Sequence, residues 1–143
     1  MGGVQAPALQ HVPLPYNTMI LGIGVDICNV ARLSQLRRKY GPRFLDRVFT
    51  PVEQERAGCG PACDERYAAR FAAKEAFMKA IGTGWGRGLT FLDIEVATED
   101  TGRPVLSVSN GAHAIATELG VAKIHISLSH ERDSAVAFVV LED

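Results

Sequence analysis

Between Met19 and Ile27 the chain reads MILGIGVDI, an alternation that puts Leu21, Ile23, Val25 and Ile27 on one side and Ile20, Gly22, Gly24 and Asp26 on the other. The pattern predicts a strand whose first side is core. Its second side carries two glycines ahead of a carboxylate, which leaves room for a backbone or a ligand to come close beside Asp26. Asn29 is placed to cap a helix with Val30, Leu33, Leu36 and Tyr40 on its inner stripe and Arg32, Arg37, Arg38 and Lys39 elsewhere. Gly41-Pro42 breaks that helix, and a short apolar stretch follows over 44–49. Thr50-Pro51-Val52-Glu53 is a capping-box signature with proline at the first helical position, so a short helix is expected there. The GCGPAC loop, 58–63, ends it.

From Asp64 to Ile81 good helix formers predominate, with Asp64 as the expected N-cap and Gly82 as the stop. Tyr67, Phe71, Phe77, Met78 and Ile81 form a broad apolar band, while Glu75 and Lys79 share a face with Ala68 and Ala72. After the glycine-rich loop 82–88, Leu89 to Thr98 alternates as a half-exposed strand and Pro104 to Ser109 returns as its hairpin partner. Asn110 is expected to cap a helix with Ala112, Ile115, Ala116 and Leu119 inward and Gly120 as its stop. Lys123 to His130 and Ser134 to Glu142 read as the last two strands, joined by the polar turn 131–133. Helices early and paired strands late predict an α+β fold, a single domain with a largely antiparallel sheet packed against a long helix.

Residues 1–18 carry three prolines and two glycines and show no period. They predict a disordered extension ahead of a domain spanning 19–143, with Met19 as its natural start, and they lack the basic start and apolar core of a signal peptide. At 143 residues and 47% hydrophobic the chain suffices for one real core. A net charge of −1 gives no global basic field, which argues against nucleic-acid and membrane-surface partners. Three cysteines, and no apolar run of membrane-spanning length, fit a reducing, cytoplasmic setting. Cys59 and Cys63 sit in a Gly/Pro loop without a second ligand pair, so zinc is not expected.

The charges of the long helix are scattered rather than gathered opposite the core. Arg66, Arg70 and Lys74 fall in or beside the apolar band, which hints that some of them point at a ligand or a partner. Asp26 and Glu75 together suit a hard cation such as Mg²⁺, which takes one or two carboxylates, waters and substrate phosphates. Singly, Asp26 also reads as a turn carboxylate and Glu75 as a partner of Lys79 in an i,i+4 salt bridge. Lys79, with Arg70 or Lys74 from neighbouring turns, supplies donors for a polyphosphate. The loop from Gly82 to Gly88 follows a helix C-terminus, where the dipole is negative, so it is a shaped wall with Arg87 as its cation, or a plain connector, and no phosphate cradle. His130 ends a strand and reads either as a surface histidine or as a phosphate ligand. No nucleophile elbow, dinucleotide fingerprint or Ser/His/Asp arrangement is present.

Several stretches together resemble a known family. GIGVDI at 22–27 followed by Arg32, RFAAKEAFMKAIGTG at 70–84, GRGLTFLDIEV at 86–96, GRP at 102–104 and ISLSH at 126–130 are similar to the holo-acyl-carrier-protein synthase family of 4′-phosphopantetheinyl transferases. The resemblance covers 19–143. It implies transfer of the phosphopantetheine arm of coenzyme A to a serine of apo acyl carrier protein in fatty acid or polyketide synthesis, with release of adenosine 3′,5′-bisphosphate and a requirement for Mg²⁺. On this chain it implies metal binding at Asp26 and Glu75, catalysis by these with Lys79, coenzyme A contacts at Arg70, Lys79, Gly82, Arg87 and His130, and carrier-protein docking at Arg32. It also implies a homotrimer with sites between subunits, and an acidic carrier explains the basic helix. The rival readings are a non-catalytic module that binds coenzyme A or a carrier protein, and a metal-dependent phosphohydrolase.

Overall fold

A computed structural model describes residues 17–84 and 86–143. Ten principal elements follow in order: β1 (Ile20–Asn29), α1 (Val30–Tyr40), α2 (Pro42–Val48), α3 (Pro51–Ala57), α4 (Cys63–Ala80), β2 (Ile94–Thr98), β3 (Pro104–Val108), α5 (Asn110–Glu118), β4 (Lys123–His130) and β5 (Ser134–Glu142). A 3-10 turn, Phe91–Asp93, precedes β2. The strands form an antiparallel three-stranded sheet in the order β1-β5-β4 and a separate β2-β3 hairpin. The expected α+β class and antiparallel pairing hold. The prediction for 1–18 falls almost wholly outside the described residues.

Helix α4 is the centre of the molecule, packed on β1 and β5 with α1, α3 and β2 around its other sides. Its buried surface is largely alanine: Ala68, Ala69, Ala72, Ala73, Ala76 and Ala80. Small side chains let a helix sit close to a strand, and the strand side of the contact is smaller still. A Cβ at Gly24 would lie 1.8 Å from the Ala76 carbonyl oxygen, and one at Gly22 2.1 Å from that of Ala80. Here glycine is required by backbone meeting backbone, not by dihedral freedom.

That contact reverses the expected orientation of β1. The glycine side, with Asp26 and Cys28, faces α4, and Leu21, Ile23, Val25 and Ile27 face outward. Ile23, Val25 and Ile27 are 56%, 52% and 68% exposed, and Phe138 of β5, opposite Val25, is 43% exposed. Alternation identifies two sides but does not say which one a helix will cover, and the bulkier side was the natural but wrong choice. The result is an open apolar sheet face of a kind that monomers rarely present.

A buried ion pair fixes the other side of α4. Lys74 Nζ lies 2.7 Å from Glu53 Oε2, with both side chains fully buried, and donates to the carbonyls of Val48 (2.6 Å) and Phe91 (3.0 Å). Glu53 completes the expected capping box by accepting from Thr50 N, and its second oxygen accepts from Val96 N at 2.8 Å. Burial pulls the Lys74 ammonium's pKa down, and the Glu53 carboxylate works against that fall. The charge expected to face a ligand is therefore consumed by an internal partner.

Other boundaries shift for local reasons. Proline at the first helical position opens α2, Pro42–Val48, where the sequence reading named only a short apolar stretch over 44–49. The α4 N-cap is Ala62, because Asp64 lies in the first turn and pairs instead with Arg37 Nε of α1 at 2.7 Å. Residues 91–93 turn because Asp93 Oδ2 accepts from Thr90 N, so the strand starts only at Ile94. Asn110 is the first residue of α5, not its cap, and donates to Asp93 Oδ1 at 3.3 Å. Leu119, expected to face inward, is exposed.

Gly24→Ala drives a Cβ into the backbone of α4, and is expected to cost about 1–3 kcal/mol or more in urea unfolding. Gly60→Ala, where nothing lies within 4 Å, is the control and should fall within about 0.5 kcal/mol of the parent. Equal stability of the two variants would refute the close-approach account.

Candidate active site

Because the glycine side of β1 lies against α4, the next residue on that side, Asp26, meets the last turns of the helix. Lys79 Nζ lies 2.9 Å from Asp26 Oδ1 and also donates to the Val25 carbonyl at 3.0 Å. Glu75, one helical turn earlier, is half-buried. Burial pushes its carboxyl pKa up, the Asp26 carboxylate adds to the rise, and Lys79 opposes it. Two carboxylates thus share a field in which the ammonium pairs with Asp26, not with Glu75 across the i,i+4 spacing.

Both carboxylates open onto a cavity of about 240 Å³ between β1, α1 and α4. Asp26, Asn29, Arg32 and Glu75 supply its polar wall, and Leu33, Leu36 and Phe71 an apolar one. Asn29 is held by its capping bond, its side chain accepting from Arg32 N, which fixes the start of α1 and hence the position of Arg32 beside the cavity. Cys28 also lines it, with burial and then the Asp26 carboxylate raising its thiol to about 11, so the thiol stays protonated at neutral pH.

Mg²⁺ fits this donor set. Asp26 is paired with Lys79, whereas burial and the Asp26 carboxylate raise the Glu75 carboxyl pKa against the opposing Lys79, so a cation set between the two carboxylates would relieve Glu75. A cation that takes one or two carboxylates and keeps its remaining positions for water and phosphate needs no third protein ligand. Among the described residues no group of three or more His, Cys, Asp or Glu comes together.

Asp26, Glu75 and Arg32 therefore converge on one cavity, and Lys79 braces Asp26. The other expected contacts lie elsewhere. Arg70 is buried on the α3 side of α4, where Nη1 donates to the Arg66 carbonyl and Nε finds no hydrogen-bond partner among the described residues. Burial lowers its pKa, with Glu53 opposing and Arg66 and Arg56 adding to the fall. Gly82 adopts a left-handed φ of +71° just past α4 and ends the helix as expected. Arg87, also at positive φ, pairs with Glu118 of α5. His130 Nδ1 lies 3.4 Å from Glu65 Oε2, by the first turns of α4. Within one chain these four do not reach the cavity.

Two features escaped the sequence reading. Phe71 and Cys28 line the cavity, and both were accessible to simple periodicity: Phe71 stands four residues before Glu75 on a helix, and Cys28 two after Asp26 on a strand. A second groove, of about 320 Å³, is lined by Tyr40, Arg43, Phe44 and Arg47 where α1 meets α2. It continues the basic run of α1 and was hidden because 44–49 was not recognised as part of a helix.

The fold agrees with what the chain is similar to. Residues 22–139 match the family model of the 4′-phosphopantetheinyl transferase superfamily. A holo-[acyl-carrier-protein] synthase of Koribacter versatilis is 48% identical over 125 residues, 87% of this chain and all of that protein. One from Halothermothrix orenii is 46% identical over 87% of this chain and 99% of its own length. Among solved structures, the holo-[acyl-carrier-protein] synthase of Neisseria meningitidis superposes with a TM-score of 0.80 at 36% identity, covering 87% of this chain and 100% of that one. The Bacillus anthracis enzyme, solved in complex with CoA (3′,5′-ADP), gives 0.73 at 41% identity, covering 87% and 98%. The chain belongs to the 4′-phosphopantetheinyl transferase superfamily.

Proposed function

We propose that this chain is a holo-acyl-carrier-protein synthase that transfers 4′-phosphopantetheine from coenzyme A to a serine of apo acyl carrier protein, releasing adenosine 3′,5′-bisphosphate. The observation that carries the reading is the pair of coupled carboxylates, Asp26 and Glu75, opening with Arg32 onto one cavity in a chain of this family. The nearest physical alternative, a module that binds without chemistry, gives no reason to place two carboxylates together at an electrostatic cost.

Asp26 and Glu75 would hold Mg²⁺, which when bound supplies positive charge for the pyrophosphate oxygens. Lys79 fixes the Asp26 carboxylate and offers its remaining proton to a phosphate oxygen. Glu75, on the wall of the cavity, is placed to take the serine hydroxyl proton as the serine oxygen bonds to phosphorus. The bond from that phosphorus to the bridging oxygen breaks, and the nucleotide leaves with the electron pair. Leu33, Leu36 and Phe71 line the cavity with apolar surface that helps exclude water from the acceptor.

The acceptor's own surface is met by α1 and α2. Arg32, Arg43 and Arg47, with Tyr40 and Phe44 between them, match an acidic helix that carries an apolar side chain. The open face of β1 and β5 supports assembly into a homotrimer. Such an assembly would bring a neighbour's groups to Arg70, Arg87 and His130, so that they contact coenzyme A from across the boundary. A cytoplasmic location fits three free cysteines.

Mass spectrometry of apo carrier protein incubated with coenzyme A and Mg²⁺ should show the addition of one phosphopantetheinyl group; an unmodified carrier would sink the reading. Glu75→Gln should abolish the addition while melting no lower than the parent, because it removes a carboxylate that burial and Asp26 both disfavour. Arg32→Glu is expected to raise KM for the carrier about tenfold with KM for coenzyme A nearly unchanged, and equal effects on both would remove Arg32 from docking. In sedimentation, Val25→Lys/Phe138→Lys should turn a trimer into monomers, and a parent that is already monomeric would refute the assembly.

A further inference from the structure

Helix α4 must present Glu75 to Asp26, yet the surface it lays on the sheet is built for closeness and not for grip. Alanines on the helix and glycines on β1 set how near the two backbones come, but neither offers a ridge that would resist rotation about the helix axis. Apart from the exposed Lys79 at the cavity, the grip lies on the opposite side. The Lys74 ammonium uses all three of its protons, on Glu53 Oε2 at 2.7 Å, Val48 O at 2.6 Å and Phe91 O at 3.0 Å. Glu53 is anchored in turn by Thr50 N at 2.9 Å and Val96 N at 2.8 Å. Five bonds, which draw in the end of α2, α3 with its cap, the 3-10 turn and β2, thus converge on this pair, one residue before Glu75 on α4.

Stability alone does not account for such a pair. Removing two charges from water costs about what their attraction returns, and apolar replacements of buried pairs are often neutral or stabilising. What an apolar contact lacks is direction. We infer that the Glu53–Lys74 pair is the key that fixes the rotation of α4 and so aims Glu75 at Asp26, making both residues positioning residues for phosphopantetheinyl transfer; this rests on the function proposed above. A side chain about 5–6 Å from the helix axis moves about 1 Å for a rotation of about 10°. A misplacement of that size is enough to cost about 10²-fold in rate.

The test compares the parent with Glu53→Gln/Lys74→Met, which removes both charges at nearly constant volume. In a double variant that circular dichroism shows to be folded at the assay temperature, kcat should fall about 10²-fold while KM for coenzyme A and for the carrier each change by less than about threefold. Calorimetric binding of Mn²⁺, used as the probe for the carboxylate pair, should weaken about tenfold. A merely structural pair would lower the melting temperature and leave kcat of the folded protein alone. Parent-like kcat and Mn²⁺ affinity in the folded double variant overturn the inference. Should that variant not fold, Glu53→Asp keeps both charges and shortens the carboxylate by one methylene; it is expected to lose kcat at constant KM, and parent-like kcat there overturns the inference equally. If the parent itself transfers nothing, the functional reading fails, and the Mn²⁺ comparison of parent with either folded variant still decides the positioning role.

Discussion

The contact between Gly22 and Gly24 of β1 and the backbone of α4 at Ala76 and Ala80 is the constraint from which the rest of the molecule follows. A strand normally stacks against a helix through two layers of side chains, whereas here both layers are almost absent. Asp26, two residues beyond Gly24 on the same side of the strand, is thereby brought to Lys79 and into the field of Glu75. With ordinary side chains at 22 and 24 the helix would ride several ångströms higher, and the carboxylates would no longer share a cavity. The same choice turns the large apolar residues of β1 away from the helix, so the site and the open sheet face have one origin.

Close packing of small residues has a cost that the far side of α4 offsets. Alanine and glycine bury little area per residue and permit sliding, so position must come from groups with direction. Hydrogen bonds and charge pairs supply it: Lys74 with Glu53 in the interior, Arg37 with Asp64 where α1 crosses the first turn, and Lys79 with Asp26 at the cavity. These three pairs connect α4 to α3, α1 and β1 respectively. Only the last faces the cavity, and its carboxylate is also the proposed metal ligand.

Periodicity revealed the strands and most helices because exposed and buried positions alternate where elements are covered on one side. The last two strands, 123–130 and 134–142, were legible to the residue for that reason. β1 was legible as a strand but not in its orientation, since its uncovered side is the apolar one. Among the site residues, Asp26, Glu75 and Lys79 stood out as chemistry that spacing could bring together, and the structure does so. Lys74 was misread because a buried lysine and a ligand-facing lysine look alike on a helical wheel; its partner, Glu53, lies 21 residues away and had already been assigned to a capping box. That one carboxylate serves a cap, a lysine and a strand amide is a tertiary fact with no local signature.

The dispersal of Arg70, Arg87 and His130 is informative when set beside the open sheet face. A buried guanidinium whose Nε has no acceptor among the described residues is an expensive arrangement in an isolated chain, since burial already lowers its pKa and neighbouring arginines lower it further. Such a group is stable where an anion or a neighbouring chain completes it. The exposed Ile23, Val25, Ile27 and Phe138 supply the apolar area through which a neighbour could be held. On the proposed function, one chain would carry carboxylates for the metal at the cavity, while Arg70, Arg87 and His130, set apart from it, would serve the donor only from across a subunit boundary. Assembly would join one chain's carboxylates to the next chain's cations. On that proposal the apolar side of β1 and the acidic side of the cavity would serve the same reaction, one by holding the neighbour and the other by holding the cation that the phosphate needs.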